Sequence, residues 1–512
     1  MSIMLYATLL IASLTLSILY LRTKRRVHNT PLPPGPPPDP LIGHSRIIPT
    51  KDHPEIFYEW SKTYGDVMHL NALGHSFVIL GSEQAAIDLL EQRGANYSER
   101  PYSPMHDLIG WGDMLVFQST GEQFNRLRRL SQQPFTRQGV LIFRDIQIHH
   151  MYTLLHNLTR SPQSFYKHVQ KFSAAVIVEI AYGHRIIADN DPYLQMVNHG
   201  TQVVADSGNL GVNILDIFPI LKNLPAWFPG AWFISFGIES QKYVQKARHW
   251  PFQDVKEQLA AGTAKTSFVS LHLEEFEREG TQGPEEIKDL KTATLLLNQA
   301  GAETTSSSIL LFIFSMLIHP DALKKAQEEI DRVVGHNRLP DFSDRESLPM
   351  VECVMQENFR WHQPVPLGIP HCSREDDVYR GMFIPKGSIV IPNAVSMGMD
   401  ENIYANPHMF WPERYLPKPA GNGEPHPASI FGFGRRACPG RYLADASIWL
   451  AMVNIMATFE ISFAQDAYGK SIVPPREYIT GATRRPKPFI CQIRPRGAWA
   501  EKLIQQAYQD SL

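Results

Sequence analysis

The chain has 512 residues, with 49 lysines and arginines against 51 aspartates and glutamates, and a formal net charge of −2 at pH 7. This balance argues against a nucleic-acid-binding protein, which would carry an excess of basic residues. Hydrophobic residues make up 43% of the chain, enough for a large core, and its four cysteines form no CxxC pair, which argues against a zinc site or a disulfide framework.

The N-terminus is strongly apolar. Residues 1–21 carry no charged side chain, and four basic residues follow between Arg22 and Arg26. About 20 apolar helical residues span a bilayer. A cleaved signal peptide is the alternative, but no basic region precedes the apolar run, and the run is long. Because basic residues after a span favour the cytosol, we predict a transmembrane signal anchor over residues 1–21 with the remaining chain cytosolic.

Residues 22–44 combine this basic cluster with the proline-rich run PLPPGPPPDPLIG. Proline fixes φ and cannot continue a helix, so the run is predicted to be stiff and extended. It is either a generic linker or a spacer that sets the height of the following domain above the membrane.

Residues 45–512 show no internal repeat, low-complexity tract or second linker, which predicts one large domain. Helical spacing dominates, as in SEQAAIDLLEQRG and PDALKKAQEEIDRVVG, while GMFIPKGSIVIPNA and PFICQIRPR are typical of strands. The predicted fold is therefore mainly α with a smaller β region. No GxGxxG or GxxxxGK[ST] motif supports a nucleotide-binding fold.

One cysteine stands in a distinctive local sequence, FGFGRRACPG, just ahead of a predicted helix. As a thiolate, Cys438 could bind haem iron, provided that it is deprotonated and screened from water. Gly434 and Gly440 would let the backbone approach a flat ligand, and Phe431 could exclude solvent beside the sulfur. Arg436 could pair with a haem propionate, and the positive end of the following helix would favour the thiolate.

These five residues match the haem-binding pattern FxxGxRxCxG of the cytochrome P450 family, which the chain resembles over nearly its whole length after the anchor. The resemblance implies the P450 fold, with residues 45–512 as the catalytic domain. It also implies heme b (iron protoporphyrin IX) as cofactor, with Cys438 as the axial thiolate ligand of the iron. Length and spacing resemble eukaryotic microsomal members, in particular fungal enzymes of secondary metabolism, which places the protein in the endoplasmic reticulum membrane.

The resemblance also implies a separate electron donor, because the chain carries no flavin or nicotinamide fingerprint. In the family this donor is NADPH–cytochrome P450 reductase. Arg129, Arg435 and Arg441 would present positive charge to such an acidic partner.

The segment QAGAETTSSS is similar to the family pattern AGx[D/E]TT. Ala300 and Gly301 would let the cofactor and O₂ lie against the helix. By resemblance, Thr304 hydrogen-bonds oxygen during the reaction and Glu303 helps to bring protons from solvent. From the residues alone, a core helix with a polar kink is the alternative.

Two further segments supply a structural triad and a cofactor contact by resemblance. Glu357 and Arg360 form the ExxR pair, and Arg414 in FWPERYL completes the triad that locks the fold behind the haem. Alone, this spacing is common on surface helices. His371, in the IPH sequence, occupies a position where the family often places a propionate contact.

The segment TGEQFNRLRRL departs from the family pattern WxxxR. Arg128 is kept as a candidate propionate contact, with an ordinary surface arginine as the alternative. Phe124 replaces the tryptophan and cannot donate a hydrogen bond. One propionate contact is therefore predicted to be lost or taken over by another group.

The substrate pocket is expected on the opposite side of the haem from the cysteine. By resemblance, its walls include RPYSPMHDLIGWGDMLVF, the PVPLGIP turn with Val365, Leu367 and Ile369, and YITGAT. These apolar residues suit a hydrophobic small molecule, and the resemblance to fungal members favours a terpenoid. The aromatic-rich residues 221–236 are either a membrane-dipping region or a packed helix–loop–helix.

The predicted activity is therefore a haem-thiolate monooxygenase that oxidises a hydrophobic small molecule with O₂. Two alternatives keep the haem: an isomerase or dehydratase acting on a peroxide, and a non-catalytic haem-binding protein. Glu303 and Thr304 argue against both, because oxygen activation needs a proton-delivering pair that the alternatives do not.

Overall fold

The computed structural model describes residues 30–49, 51–207, 214–479, 481 and 483–512. The predicted membrane anchor, residues 1–21, lies outside the described residues. Helices dominate the described chain, and the prediction of a mainly helical fold with a smaller β region is confirmed.

The helices are numbered in chain order. They are α1 His53–Tyr64, α2 Glu83–Ala86, α3 Gly94–Tyr97, α4 Pro104–Leu108, α5 Glu122–Gln132, α6 Arg144–Arg160, α7 Phe165–Tyr182, α8 Pro192–Asp206, α9 Ile214–Ile217, α10 Trp232–Ala260, α11 Phe268–Glu279, α12 Pro284–Ile318, α13 Pro320–Val333, α14 Pro349–Trp361, α15 Ala394–Gly398, α16 Arg441–Thr458 and α17 Ala498–Asp510. A short π-helical turn, Ile87–Gln92, continues α2.

The strands are short. They are β1 Val67–Ala72, β2 His75–Leu80, β3 His371–Cys372, β4 Asp377–Tyr379, β5 Met382–Ile384, β6 Ile389–Pro392, β7 Phe459–Gln465, β8 Ser471–Ile472, β9 Tyr478–Ile479, β10 Arg485–Pro486 and β11 Cys491–Pro495. The largest sheet has the order β1-β2-β6-β3, in which β2 and β6 are parallel and the other pairs antiparallel. Three smaller units pair β10 with β9, β4 with β5, and β11 and β8 with β7.

The long helix α12 runs through the core. Pro284 suits its first turn, where a backbone N–H needs no helical partner, and Glu285 and Glu286 complement the positive end of the helix dipole. Residues 305–317 are all buried, and α12 packs against α5, α7 and α16. Among the described residues, α12 is the one helix long and apolar enough to cross a membrane, but most of its apolar stretch is buried inside the protein.

The described part of the proline-rich run packs against the sheet. The backbone N–H of His69 donates to the carbonyl of Pro34 at 2.9 Å, and that of Phe383 donates to the carbonyl of Pro31 at 2.7 Å. A Cβ on Gly35 would lie 2.2 Å from the carbonyl oxygen of His69. This stretch is therefore attached to the domain at β1 and at β5, because the proline carbonyls are free to accept hydrogen bonds from these strands.

Candidate active site

A cavity of about 330 Å³ lies between α12 and the loop that leads into α16. Ala300, Gly301 and Thr304 of α12 line one side, and Cys438 and Gly440 line the other. The two segments identified from the sequence, from Thr304 to Cys438 more than 130 residues apart, thus line one common cavity.

The cysteine loop is held by its own backbone. The N–H of Cys438 donates to the carbonyl of Phe431 at 2.8 Å, and the Phe431 ring meets Phe359 of α14 edge to face at 6.2 Å between centroids. Cys438 lies deep in the protein and keeps partial exposure because it faces the cavity. Burial raises the pKa of its thiol, while the backbone N–H of Gly440 and the charges of Arg128 and Arg441 lower that pKa.

The three predicted glycines differ in whether, and why, packing requires glycine at the position. Gly434 has φ of +51°, and a Cβ there would lie 2.7 Å from the carbonyl oxygen of Leu90, so contact with the π-helical turn requires glycine. On Gly301, a Cβ would lie 2.8 Å from Cγ1 of Ile177, so this glycine allows α12 and α7 to pack closely. Among the described residues, none beyond its chain neighbours has an atom within 4 Å of a Cβ on Gly440, so packing does not require glycine there.

Arg436 reaches across the cavity wall to the chain before α5. Its Nε donates to the carbonyl of Ser98 at 2.8 Å, Nη1 to Leu115 at 3.2 Å and Nη2 to Gln118 at 2.6 Å. Its guanidinium carbon also lies 4.0 Å from the centroid of the Phe124 ring. The phenylalanine that replaces the family tryptophan therefore makes a cation–π contact, and burial lowers the pKa of Arg436 to about 10.

Arg100 also lines the cavity and was missed by sequence reasoning. It is buried and donates to the carbonyls of Val116 at 3.0 Å and of Ile369 and Pro370 at 2.7 Å each. No described carboxylate forms a salt bridge with it, and burial and the charge of Arg436 lower its pKa. No local pattern distinguishes this arginine, since two of its three carbonyl partners, Ile369 and Pro370, lie 269 and 270 residues away.

His371 lies on the same side of the cavity and is buried. Its Nδ1 donates to the carbonyl of Tyr97 at 2.7 Å, so Nε2 carries a proton only when the ring is charged. Burial and the charge of Arg100 lower the pKa of His371. An anionic ligand beside Nε2 would favour the charged ring.

The cavity therefore concentrates positive charge in apolar surroundings. Arg128, half-buried with its pKa lowered by burial, joins Arg100 and Arg436 around it, with the imidazole of His371 beside them. Glu99 is the carboxylate that acts on Arg436. Buried charge needs a partner, so these side chains suit a ligand with two carboxylates. With the Cys438 thiol lining the same cavity, across from α12, the set fits haem and its propionates.

The acid and the hydroxyl of α12 point in different directions. Thr304 lines the cavity, and its Oγ1 donates to the carbonyl of Ala300 at 2.8 Å. Glu303 is not among the cavity-lining residues; it accepts a hydrogen bond from Thr483 and lies 3.5 Å from Nη1 of Arg485. Burial raises the pKa of Glu303, while Thr483 and Arg485 lower it. Successive helical residues are about 100° apart, which accounts for the divergence.

Glu357, Arg360 and Arg414 meet in a fully buried ion-pair network. Arg360 donates to both carboxylate oxygens of Glu357 at 2.7 and 2.8 Å, and Nε of Arg414 lies 3.1 Å from Oε2. The backbone N–H of Trp411 and the hydroxyl of Tyr415 also donate to this carboxylate. None of these groups lines the cavity, which agrees with a structural role.

The predicted substrate walls are met in part. Val365 and Ile369 line the cavity, whereas Leu367 packs against the small core around Phe57 and Met68. The turn closed by Gly368 N–H donating to the carbonyl of Val365 turns the middle side chain away. The described residues of YITGAT do not line the cavity either.

Comparison with known proteins agrees with this geometry. The family model for cytochrome P450 matches residues 33–492. The chain is 38% identical over 505 residues to cytochrome P450 monooxygenase 136 of Postia placenta, covering 98% of this chain and 95% of that relative. It is also 38% identical over 478 residues to cytochrome P450 monooxygenase COX2 of Coprinopsis cinerea, covering 92% and 90%. The chain thus belongs to the cytochrome P450 family, as a monooxygenase with haem as its cofactor.

Proposed function

We propose that this monooxygenase oxidises a hydrophobic small molecule, and within that class a fungal terpenoid. The observation that carries the proposal is the character of the cavity wall beside Thr304. Most of its lining residues on α7, on α12 and in the turn before β3 are apolar, namely Val176, Ile177, Leu296, Leu297, Val365 and Ile369; the polar ones besides Thr304 are Ser173, Thr305 and Ser308. Such a wall binds by burying apolar surface, with few polar groups to orient the ligand. The terpenoid assignment rests on the resemblance to fungal secondary-metabolism enzymes.

The groups in and around the cavity have different roles in the proposed reaction. When bound, the haem supplies the iron chemistry that splits O₂ between substrate and water. The loop around Cys438 presents the sulfur to the cavity, and the N–H of Gly440 stabilises its negative charge. The apolar wall holds the substrate and excludes water. Thr304 offers a hydroxyl in the cavity, and Glu303 provides a carboxyl group beyond it that can take up a proton and pass it on.

The substrate proposal is tested with the enzyme expressed together with its reductase. Sesquiterpene and diterpene hydrocarbons are compared with carboxylated analogues of the same skeletons, by spectral binding titration and product analysis. We expect binding and a product with one added oxygen for the hydrocarbons alone. Turnover restricted to the charged analogues would contradict the proposal.

Replacing Thr304 by alanine is expected to leave the haem spectrum unchanged but to lower product formed per NADPH consumed by about tenfold or more, because proton transfer loses its hydroxyl. The matched control is Thr294→Ala, since Thr294 makes the same bond to the carbonyl one turn back, at 2.7 Å to Leu290, and does not line the cavity. Equal coupling in the two variants would remove Thr304 from the mechanism.

Replacing Arg100 by glutamine is expected to speed haem loss by about tenfold or more, since a charged hydrogen bond contributes ~1.5–3 kcal/mol. The rate is measured by transfer of haem to an excess of a scavenging globin. Arg496→Gln is the control, because Arg496 pairs with Asp331 and does not line the cavity. If Arg100→Gln lost haem as slowly as the unchanged enzyme, Arg100 would serve only to hydrogen-bond the backbone carbonyls of Val116, Ile369 and Pro370.

We also propose NADPH–cytochrome P450 reductase as the electron donor. Support comes from a cleft beside Phe431 that is lined by Arg137, Arg144 and Arg441. No described carboxylate forms a salt bridge with these three guanidinium groups, nor with Arg435 nearby, which leaves positive charge for an acidic partner. Electron transfer is then expected to slow as salt concentration rises.

The proposed location is the endoplasmic reticulum membrane, with residues 1–21 as the anchor and the catalytic domain in the cytosol. Exposed apolar side chains support a membrane-facing surface. Trp227 is 80% exposed, Trp232 is 60% exposed and Leu41, at the end of the proline-rich run, is 77% exposed. In contrast, Phe233 is buried, so residues 221–236 combine a packed half with an exposed half.

A further inference from the structure

The hairpin formed by β9 and β10 lies along α12 and contacts Glu303 of that helix. In the hairpin, Arg485 pairs with Ile479 and Pro486 with Tyr478. Strand β10 packs directly on α12, and the hydroxyl of Tyr166 donates to the carbonyl of Pro486, which ties the hairpin to α7. The hairpin is therefore a fixed neighbour of the helix that carries Glu303 and Thr304.

Two hairpin side chains converge on one oxygen of Glu303. The Thr483 hydroxyl donates to Oε1, and Nη1 of Arg485 lies 3.5 Å from the same atom. The side chain of Glu303 is 10% exposed and that of Arg485 is 19% exposed, so the pair is largely shielded from water. Arg485 is the charged group of the described chain that acts on this carboxylate.

These contacts hold the carboxylate away from the cavity. Thr304, the next residue, lines the cavity, while Glu303 does not. Burial disfavours the ionised carboxylate, and the hairpin contacts favour it, so the hairpin decides how readily Glu303 keeps its charge. Protonation removes the attraction to Arg485, which frees the side chain from the hairpin.

We propose that Thr483 and Arg485 are positioning residues for proton delivery, which hold ionised Glu303 outside the cavity and release it once it takes up a proton. This inference rests on the proposed role of Glu303 as the proton donor. The hairpin would thereby keep the Glu303 carboxyl out of the cavity while it is charged and let it enter when it is protonated.

A neighbouring arginine provides a matched control. Arg484 is in the same hairpin and is largely buried, but it pairs with Glu55, and its guanidinium carbon lies 4.3 Å from the centroid of the Tyr478 ring. Replacing either arginine by glutamine removes one positive charge from the hairpin. Only Arg485→Gln removes that charge from beside Glu303.

The first test is an infrared pH titration of the resting ferric enzyme, with the Glu303 carboxyl band assigned by its loss in Glu303→Gln. We expect Arg485→Gln to raise the pKa of Glu303 by about one pH unit, Thr483→Val to raise it less, and Arg484→Gln and Arg485→Lys to leave it near its original value. An unchanged pKa in both Arg485→Gln and Thr483→Val overturns the proposal.

The second test is the pH profile of product formed per NADPH consumed. In Arg485→Gln the profile should shift in the same direction and by the same amount as the infrared pKa, whereas purely structural damage would lower the rate without moving the profile. An infrared shift with no matching shift of the profile also overturns the proposal. Because the infrared titration needs no substrate, failure to find turnover would count against the proposed function alone.

Discussion

Replacing Cys438 by serine is expected to abolish the strongly red-shifted Soret band of the reduced carbon monoxide complex, together with all monooxygenase activity. A serine hydroxyl stays protonated at neutral pH and cannot donate electron density to the iron as a thiolate does. The variant should still fold, because the N–H of residue 438 keeps its bond to the carbonyl of Phe431. Absorption spectra of the reduced, carbon monoxide-treated protein measure the effect.

The control is a second cysteine. Cys491 is a free thiol on β11, outside the cavity, and burial raises the pKa of this thiol to about 12. Cys491→Ser should retain the red-shifted band, with at most a modest loss of stability. A red-shifted band that persists in Cys438→Ser would assign the axial ligand to another residue.

Replacing Glu357 by glutamine is expected to destabilise the protein by ~3–5 kcal/mol, because two fully buried guanidinium groups would lose their counter-charge. Glutamine can accept from Arg360, but its amide would also present donors to Arg360 and Arg414, which are themselves donors. Urea-induced unfolding of the haem-bound protein measures the change.

An exposed pair with the same spacing tests the role of burial. Glu59 and Lys62 of α1 are also three residues apart, at 2.8 Å, but their side chains are 63% and 48% exposed. Glu59→Gln should therefore change the free energy of unfolding very little. A comparable loss in the two variants would show that the Glu357 network owes little to its burial.

The candidate site divides into residues that local sequence could identify and residues that it could not. The segment FGFGRRACPG around Cys438 could be identified, because thiolate ligation requires particular neighbours within these ten positions. Arg100 could not be identified from local sequence, since its partners Ile369 and Pro370 come from a segment about 270 residues away. Val365 and Ile369 line the cavity and Leu367 does not, and their shared apolar character could not distinguish the three positions.

Two predicted residues make contacts that the sequence did not indicate. Gly301 was expected to make room for a cofactor; it lines the cavity, and its missing Cβ also makes room for Ile177 of α7. Phe124 was expected to cost a propionate contact, and the structure places its ring under the Arg436 guanidinium. In both cases the sequence indicated that the position matters, while the neighbour that explains it is known only from packing.

The sequence by itself determined the mainly helical fold, the cysteine segment and the family, because each depends on local periodicity or on residues at short spacings. Only the tertiary structure decided which way consecutive side chains point and what they meet. Glu303 and Thr304 illustrate the difference: a helix turns about 100° per residue, so one side chain faces the cavity and the other faces Thr483 and Arg485, which lie about 180 residues further along the chain.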